Sequence, residues 1–325
     1  MNSPSLDAVA LLALMKVKGI GRRGAIRIVD TPRDAADPKS HRDIIFGRAE
    51  RAKISPSELS EAWRKSEQLL EQSATSGIEV YSLFDGDYPT RLRTIPDPPA
   101  LLFVKGETGS LRGLKSVAIV GTREPTSYGA AVARRSGETS AEAGYVVVSG
   151  LAHGCDAFGH EGCLDANGIG IAVMAHGLDK VYPAANRGLA ARLLENGGCL
   201  VSEYPVGVTP MRSAFAERDR IQSGLSDGVL VIETDFQGGT MHTVRFSREQ
   251  QRPLACVEHP KKWLCEEKTQ GNQKLIADGW ATPIPDGPAL VQFLARIATQ
   301  IQTVSPPPED ESASDPMPAQ RSLAF

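Results

Sequence analysis

Short continuous apolar runs alternate with longer, more polar stretches between about residue 78 and residue 300. The runs at 117–120 and 145–149 are rich in β-branched residues, which is typical of parallel strands covered on both faces. Strands are predicted at 79–83, 100–104, 116–120, 145–149, 169–174, 199–202, 228–232 and 253–257. Helices are predicted between them, for example at 127–143, 157–167, 186–196 and 240–251. This alternation predicts an α/β fold with a doubly wound, mostly parallel sheet.

The two ends of the chain follow other patterns. Residues 1–75 carry long apolar stretches separated by glycine and proline, which predicts a small all-helical domain ahead of the sheet domain at 76–304. Residues 305–325 are rich in proline, serine and acidic residues. Such a composition buries too little apolar surface to offset the entropy of ordering, so this segment is predicted to be a disordered tail.

Composition narrows the classes of function. The 325 residues are 41% hydrophobic and 23% charged, with a net charge of −3, so any nucleic-acid site has to be a localised basic patch.

No apolar run approaches the roughly 20 residues needed to span a bilayer, and a cytoplasmic protein is expected. The five cysteines are scattered, which favours reduced core thiols. We expect no metal and no cofactor.

The predicted strand ends share one chemistry. A glycine after a strand lets backbone N–H groups approach an anion closely, and the crossover rule brings the carboxyl ends of the strands to one edge. The glycines, hydroxyls and cations predicted to bind phosphate there are Gly121, Thr122, Arg123, Ser149, Gly150, Lys180, Arg218, Arg220, Gly239 and Thr240. The alternative is that these glycines serve only tight turns. That interpretation would leave the presence of four cations at this edge unexplained. The spacing matches neither a dinucleotide fingerprint nor a P-loop.

No catalytic residue is predicted. The histidines form no Ser-His-Asp or Cys-His pattern that can be recognised in the sequence. Glu203 and Glu233 follow predicted strands and are candidates for a carboxylate pair, but a glutamate at a strand end usually caps a loop or a neighbouring N–H group.

Seven ordered motifs resemble the DNA-processing protein A family, also called DprA or Smf. The matching stretches are DYPTRLRTIPDPPALLFVKG (87–106), VAIVGTR (117–123), VSGLAHGCDAFGH (148–160), GLDKVYPAAN (177–186), LVSEYPVG (200–207), FAERDRIQSGLS (215–226) and NQKLIADG (272–279). The resemblance covers about residues 81–293.

The resemblance implies an extended Rossmann-like domain that binds single-stranded DNA, forms a homodimer and helps to load a RecA-type recombinase. By matching motif, Arg123, Arg218 and Arg220 would contact DNA phosphates, with Lys180 as a further candidate. The chain departs from the family where Asp219 separates the two arginines, in place of the usual asparagine. A carboxylate that pairs with either arginine would withhold positive charge from DNA.

Two short motifs extend the prediction to the ends of the chain. The turn between the first two helices resembles a helix-hairpin-helix, in which Gly19 and Gly21 expose N–H groups to a phosphate and Arg22 and Arg23 add charge. The alternative is a linker that only packs against the sheet domain.

The last six residues resemble the peptide that docks on the bacterial sliding clamp. Leu323 and Phe325 would anchor in an apolar pocket and Gln320 would fix the register. A terminus without function is the alternative.

The sequence therefore predicts a non-enzymatic, single-stranded DNA-binding protein that acts in recombination or in the processing of foreign DNA. Two alternatives stay open. One is a nucleotide-metabolite sensor or an N-glycoside hydrolase on the same fold, although the Gly238-Gly239-Thr240 stretch is an incomplete match to the hydrolase signature. The other is an adaptor that recruits DNA and the clamp through its two ends.

Overall fold

The computed structural model describes residues 4–30 and 40–304. The helices are α1 (Leu6–Lys16), α2 (Arg22–Val29), α3 (His41–Arg51), α4 (Pro56–Thr75), α5 (Thr90–Arg93), α6 (Ser127–Glu142), α7 (Cys155–Asp165), α8 (Arg187–Glu195), α9 (Arg212–Gly224), α10 (Thr240–Glu249), α11 (Glu267–Ala277) and α12 (Gly287–Val304). The strands are β1 (Ile78–Ser82), β2 (Leu101–Gly106), β3 (Ser116–Val120), β4 (Val146–Ser149), β5 (Gly170–Met174), β6 (Cys199–Ser202), β7 (Gly228–Val231), β8 (Leu254–Val257) and β9 (Thr282–Ile284).

The nine strands form one sheet in the order β1-β2-β6-β5-β4-β3-β7-β8-β9. Strands β3 to β9 pair in parallel, which confirms the predicted α/β fold with a mostly parallel sheet. Each of the eight predicted strands overlaps an observed strand. The short strand β9 was not predicted, because it has three residues and contains Pro283.

One expectation about the sheet is wrong. Strand β2 pairs antiparallel with both β1 and β6, so its carboxyl end lies at the edge opposite to that of the other strands. The reason is the connection from β1 to β2, which contains only the four-residue helix α5 and makes no helical crossover. Parallel neighbours in a sheet require such a crossover.

Alternate residues of the central strand β3 serve two separate cores. Val117 and Ile119 pack with Ala133 of α6 and with α12 on one face of the sheet. Ala118 and Val120 pack with Val244 of α10 and with α11 on the other face. Successive side chains of a strand point to opposite faces, so a run that is apolar at every position fits a strand covered on both sides.

Helices α1 to α4 cover the β1 edge of the sheet. Ser5 is the N-cap of helix α1 and its hydroxyl accepts the N–H of Ala8, and most residues of the helix are buried. It contacts α2, α3 and α4 as well as β1 and β2. A helix that is apolar on all sides is expected in such a central position. Trp63 of α4 completes this core and is almost fully buried.

Glycines bring the backbones of α6 and α7 into direct contact. A Cβ at Gly137 of α6 would meet the carbonyl oxygen of Gly159, and a Cβ at Gly162 of α7 would meet the carbonyl oxygen of Arg134. Backbone atoms cannot yield as a flexible side chain does, so any larger residue has to push the two helices apart. This contact fixes the start of α7, which contributes to the site described below.

We predict that Gly162→Ala lowers the free energy of unfolding by about 1–3 kcal/mol, because the added methyl group overpacks the α6–α7 contact. Urea unfolding followed by circular dichroism measures the change. Gly188→Ala in α8 is the matched control, because a Cβ there meets nothing within 4 Å. This substitution should raise the free energy of unfolding by no more than about 1 kcal/mol. Equal effects of the two substitutions would contradict the packing argument.

Candidate nucleic-acid interface

A cavity of about 430 Å³ opens at the carboxyl ends of β3 and β7. These strands are neighbours in the sheet. The strands that follow β3 along the chain lie on one side of this pair, and those that follow β7 lie on the other side. The cavity therefore lies at the topological switch point, where open α/β sheets bind their ligands. Its walls are the loop at 121–124 after β3, helix α9, and the turn at 238–240 that starts α10.

Close backbone packing fixes the loop after β3. The N–H of Thr122 donates to the carbonyl oxygen of Glu233 at 2.8 Å, and its own carbonyl oxygen accepts the N–H of Cys155 at 3.1 Å. A Cβ at Gly121 would collide with the side chain of Cys155. Gly121 and Thr122 thus anchor the loop against the start of α7, and the next residue, Arg123, lines the cavity.

Arg123 adjoins an aromatic surface. Its guanidinium carbon lies 5.2 Å from the ring centroid of Phe215, a cation–π contact. The ring of Phe215 lies in turn 5.8 Å from that of Tyr182, which is 47% exposed. The three side chains line a smaller cleft that shares Arg123 and Phe215 with the main cavity. A cation next to accessible aromatic rings is a combination that binds the phosphates and bases of single strands.

Arg218 of α9 is the most deeply buried cation of the cavity, with 4% of its surface exposed. Its Nε lies 3.5 Å from Oδ1 of Asp219, and its Nη1 lies 4.0 Å from Oδ2 of Asp156. Among the described residues, neither nitrogen has a hydrogen-bond partner. Buried donors are nearly always satisfied, so the two unsatisfied donors make Arg218 a candidate anion-binding group in the cavity wall.

Gly150 provides the space for Arg218. A Cβ at this position would overlap the guanidinium group of Arg218. The predicted glycine at the end of β4 therefore lies at the site, although it makes room for a side chain rather than offering its own N–H to a ligand. That N–H instead donates to Asp156 at 3.1 Å.

Two carboxyl groups flank Arg218. Asp156 accepts the N–H groups of Gly150 and Ala152, whereas Asp219 accepts side-chain donors, the amide of Gln222 at 3.3 Å and the hydroxyl of Thr243. Burial raises the pKa of Asp219 to about 7, against the opposing effect of Arg218. Burial also raises the pKa of Asp156. The cavity thus holds a carboxyl group that changes charge near neutral pH.

Arg220 lies outside the cavity. It is 2% exposed, and its Nη1 and Nη2 donate to Glu203 at 2.7 Å and 2.6 Å. Its Nε donates to the carbonyl oxygen of Asp97 at 2.9 Å. The sequence pattern had placed Arg218 and Arg220 together on a loop, but both belong to α9, where residues two apart point in different directions.

Four further residues were predicted to bind phosphate. Two of them lie apart from the cavity and two line it. Ser149 is buried, and its hydroxyl donates to the carbonyl oxygen of Ile119 at 2.7 Å. Lys180 is exposed in the loop after β5, outside the residues that line the cavity. Gly239 and Thr240 line the cavity at the start of α10, and their contact with phosphate stays a prediction.

The predicted hairpin packs against the sheet domain. Gly19 has a positive φ of 86°, and Gly21 precedes α2. Arg22 forms ion pairs with Asp97 and with Glu203, whose Oε2 is 3.0 Å from Nη1. Arg23 also pairs with Asp97, although its side chain is 78% exposed. Arg22 thus links the hairpin to the sheet domain. This packing role is the alternative to DNA contact that the sequence left open.

Sequence reasoning missed several residues of the cavity. Phe215, Asp156, Arg212, His242 and Lys268 all line it. Phe215 has no clear signal in the sequence, because Arg218 interrupts the apolar spacing of α9, the helix that carries both residues. Lys268 has none either, because it reaches the cavity from α11, far along the chain.

The two glutamates considered as a carboxylate pair, Glu203 and Glu233, have separate partners. Glu233 is fully buried. It accepts the N–H and the hydroxyl of Thr126, the residue that caps α6, at 2.8 Å and 2.6 Å. Glu203 pairs with Arg22 and Arg220. Both therefore stabilise the fold.

Several other expectations concern features of the whole chain. The five cysteines are free thiols, four of them buried. Residues 4–30 and 40–304 contain no cluster of side chains suited to a metal ion. Within the same residues, no helix combines the length and the apolar character needed to cross a membrane. Gln320, Leu323 and Phe325, with the predicted tail at 305–325, lie outside the described residues.

Comparison with known proteins identifies the family. The family model of DNA recombination-mediator protein A matches residues 79–295. Protein Smf of Escherichia coli is 42% identical over 192 residues, which are 59% of this chain and 50% of that protein. DNA processing protein DprA of Bacillus subtilis is 35% identical over 222 residues, 68% of this chain and 73% of that protein. The match thus spans only half the length of the E. coli relative.

Two solved structures resemble the fold over most of this chain. DNA processing protein A from Streptococcus pneumoniae superposes with a TM-score of 0.66 at 28% identity, over 88% of this chain and 92% of its own. The protein from Helicobacter pylori, described for its single-stranded DNA binding mode, gives a TM-score of 0.58 at 28% identity, over 69% of this chain and 97% of its own. The chain described here belongs to the DNA recombination-mediator protein A family.

Proposed function

We propose that the chain binds single-stranded DNA at the cavity between β3 and β7, and that it acts in recombination without catalysing a reaction on the DNA. The observation that carries the proposal is Arg218, a buried cation whose Nε and Nη1 have no hydrogen-bond partner in the described residues and which lines an open cavity. Phosphate oxygens are suited to such donors, because charge-assisted hydrogen bonds to guanidinium are strong.

The surroundings of Arg218 support a polymer as the ligand. Arg123 adds a second cation on the side of Phe215 and Tyr182, so a chain of nucleotides can place phosphates on the cations and bases on the rings. With a net charge of −3, the protein needs such a localised site to bind nucleic acid. The proposed contacts are Gly121, Thr122, Arg123, Arg218, Gly239 and Thr240, with Gly150 making room for Arg218.

The partners of the proposed function rest on family membership. A homodimer, delivery of DNA to a RecA-type recombinase and a cytoplasmic location follow from this proposal. Docking of the C-terminal residues Leu323 and Phe325 on a sliding clamp is a separate proposal, supported only by their sequence pattern.

The cavity volume favours a second candidate ligand. About 430 Å³ is within the range of small-molecule sites, so a single nucleotide would also fit. A nucleotide-binding sensor would bind a mononucleotide as tightly as an oligonucleotide of the same base. A DNA-binding protein would prefer the oligonucleotide, because several phosphates and bases then contribute.

We predict that Arg123→Ala weakens oligonucleotide binding by about 1.5–3 kcal/mol, since a charge-assisted hydrogen bond is lost. Fluorescence anisotropy between about 50 and 200 mM salt should also show the slope of log K against log salt reduced by about 0.7, the value for one phosphate on a single strand. Arg192→Ala, which removes an exposed arginine of α8, is the control and should change neither quantity. Binding of a mononucleotide alone, independent of salt, would reject the DNA-binding proposal.

We predict that Phe215→Leu weakens the binding of the same oligonucleotide by about 1–3 kcal/mol, because a base loses its stacking surface. Its salt slope should equal that of the parent protein, since no cation is removed. Phe215→Tyr retains the aromatic face and should retain binding. A Phe215→Leu variant that binds as tightly as the parent would show that the aromatic surface does not hold a base.

A further inference from the structure

The cluster around Arg218 has more acidic than basic groups. One buried guanidinium group lies between Asp156 and Asp219, at 4.0 Å and 3.5 Å. If both carboxyl groups are ionised, the cluster carries one excess negative charge inside the cavity proposed to hold a phosphate. The two carboxylates beside this one guanidinium group repel each other where water is excluded, and the charge of Asp156 raises the pKa of Asp219. One of the two carboxyl groups therefore has reason to take up a proton.

Local hydrogen bonds decide which carboxyl group that is. Asp156 accepts the backbone N–H of Gly150 at 3.1 Å and that of Ala152 at 3.4 Å, and backbone donors favour the ionised form. Asp219 is supported by side-chain donors, the Gln222 amide at 3.3 Å and the Thr243 hydroxyl, and receives no backbone N–H from the described residues. Its side chain is nevertheless part of the cavity wall. Asp219 is thus the group that protonates first, in agreement with its pKa of about 7, which burial raises.

We propose that Asp219 couples phosphate binding in this cavity to the uptake of one proton, so that the site holds DNA more tightly at about pH 6 than at about pH 8. The inference rests on the proposed function. A phosphate beside Arg218 brings negative charge next to Asp219, whose carboxylate oxygen then binds a proton from solvent. The neutral carboxyl group no longer competes with the phosphate for Arg218 and no longer repels it, while Asp156 remains the ionised partner of Arg218.

Other charged or titratable groups face the cluster from the elements around it. They are Arg123 and Glu124 after β3, His153 before α7, Arg212 on α9, Asp235 after β7, His242 on α10 and Lys268 on α11. Lys268 and Asp235 pair with each other at 3.3 Å, which balances their charges. Because imidazole groups in general titrate near neutral pH, His242→Gln is included as a control in the binding experiment.

The first readout needs no DNA. The carboxyl pKa of Asp219 is about 7 in the folded protein against 3.8 in an unperturbed aspartate. The folded state holds the proton more tightly, so its stability falls as pH rises from about 4 to about 7 and is then constant. We therefore expect Asp219→Asn to raise Tm over the parent by an amount that grows from about pH 4.5 to 7 and levels off above. A difference in Tm that does not vary with pH would contradict the assignment.

The second readout is the coupling itself. Calorimetric titration of the full-length protein with a single-stranded oligonucleotide, in buffers of different ionisation heat, measures protons taken up on binding. We expect up to about one proton per site at about pH 8 and an affinity that falls by up to about tenfold per pH unit above pH 7. Asp219→Asn should lose this uptake and its pH dependence, whereas His242→Gln should keep both.

The possible results separate the inference from the function on which it rests. Oligonucleotide binding with equal proton uptake by the parent and Asp219→Asn would overturn the coupling and leave the proposed function intact. Absence of oligonucleotide binding at every pH would overturn both. Loss of uptake in Asp219→Asn, with binding retained, supports the coupling.

Discussion

The compensation of buried charge is the constraint on which the rest of this structure depends. Helix α9 carries two arginines that are almost fully buried, and an unpaired charge in such a place costs several kcal/mol. Arg220 obtains its partner from Glu203, after β6, and Arg218 obtains part of its compensation from Asp156, at the start of α7. Because these partners come from distant parts of the chain, the ionic contacts position α9 against the strand ends, and the walls of the cavity follow from that position.

The two arginines differ in how completely they are satisfied. Glu203 and the carbonyl oxygen of Asp97 occupy the donors of Arg220, and Arg22 joins the same acidic groups from the N-terminal helices. This arginine therefore links parts of the fold. Arg218 has carboxyl groups nearby, but two of its donors have no hydrogen-bond partner within the described residues, which makes it the candidate binding group. One helix thus supplies a structural cation and a candidate binding cation, and the difference comes from the geometry of their acidic partners.

Most of the fold could be predicted from the sequence, because β-branched runs covered on both faces leave a strong pattern. Helix α9 was missed since arginines occupy part of its buried face, and the antiparallel direction of β2 depends on a connection that has no helical signal. At the site, Arg123 and the glycine turns were found because they follow predicted strands. Whether a given arginine faces a cavity or a carboxylate could not be read from local sequence, because Glu203 reaches Arg220 only in the folded chain.

The two edges of the sheet are protected in different ways. Helices α1 and α4 lie against β1, and the opposite edge strand β9 is three residues long and contains Pro283, which has no N–H to donate. An edge strand with a long row of free backbone groups invites pairing with another chain, and β9 is too short to offer one. Extending the sheet from one molecule to the next across β9 would therefore form few backbone hydrogen bonds.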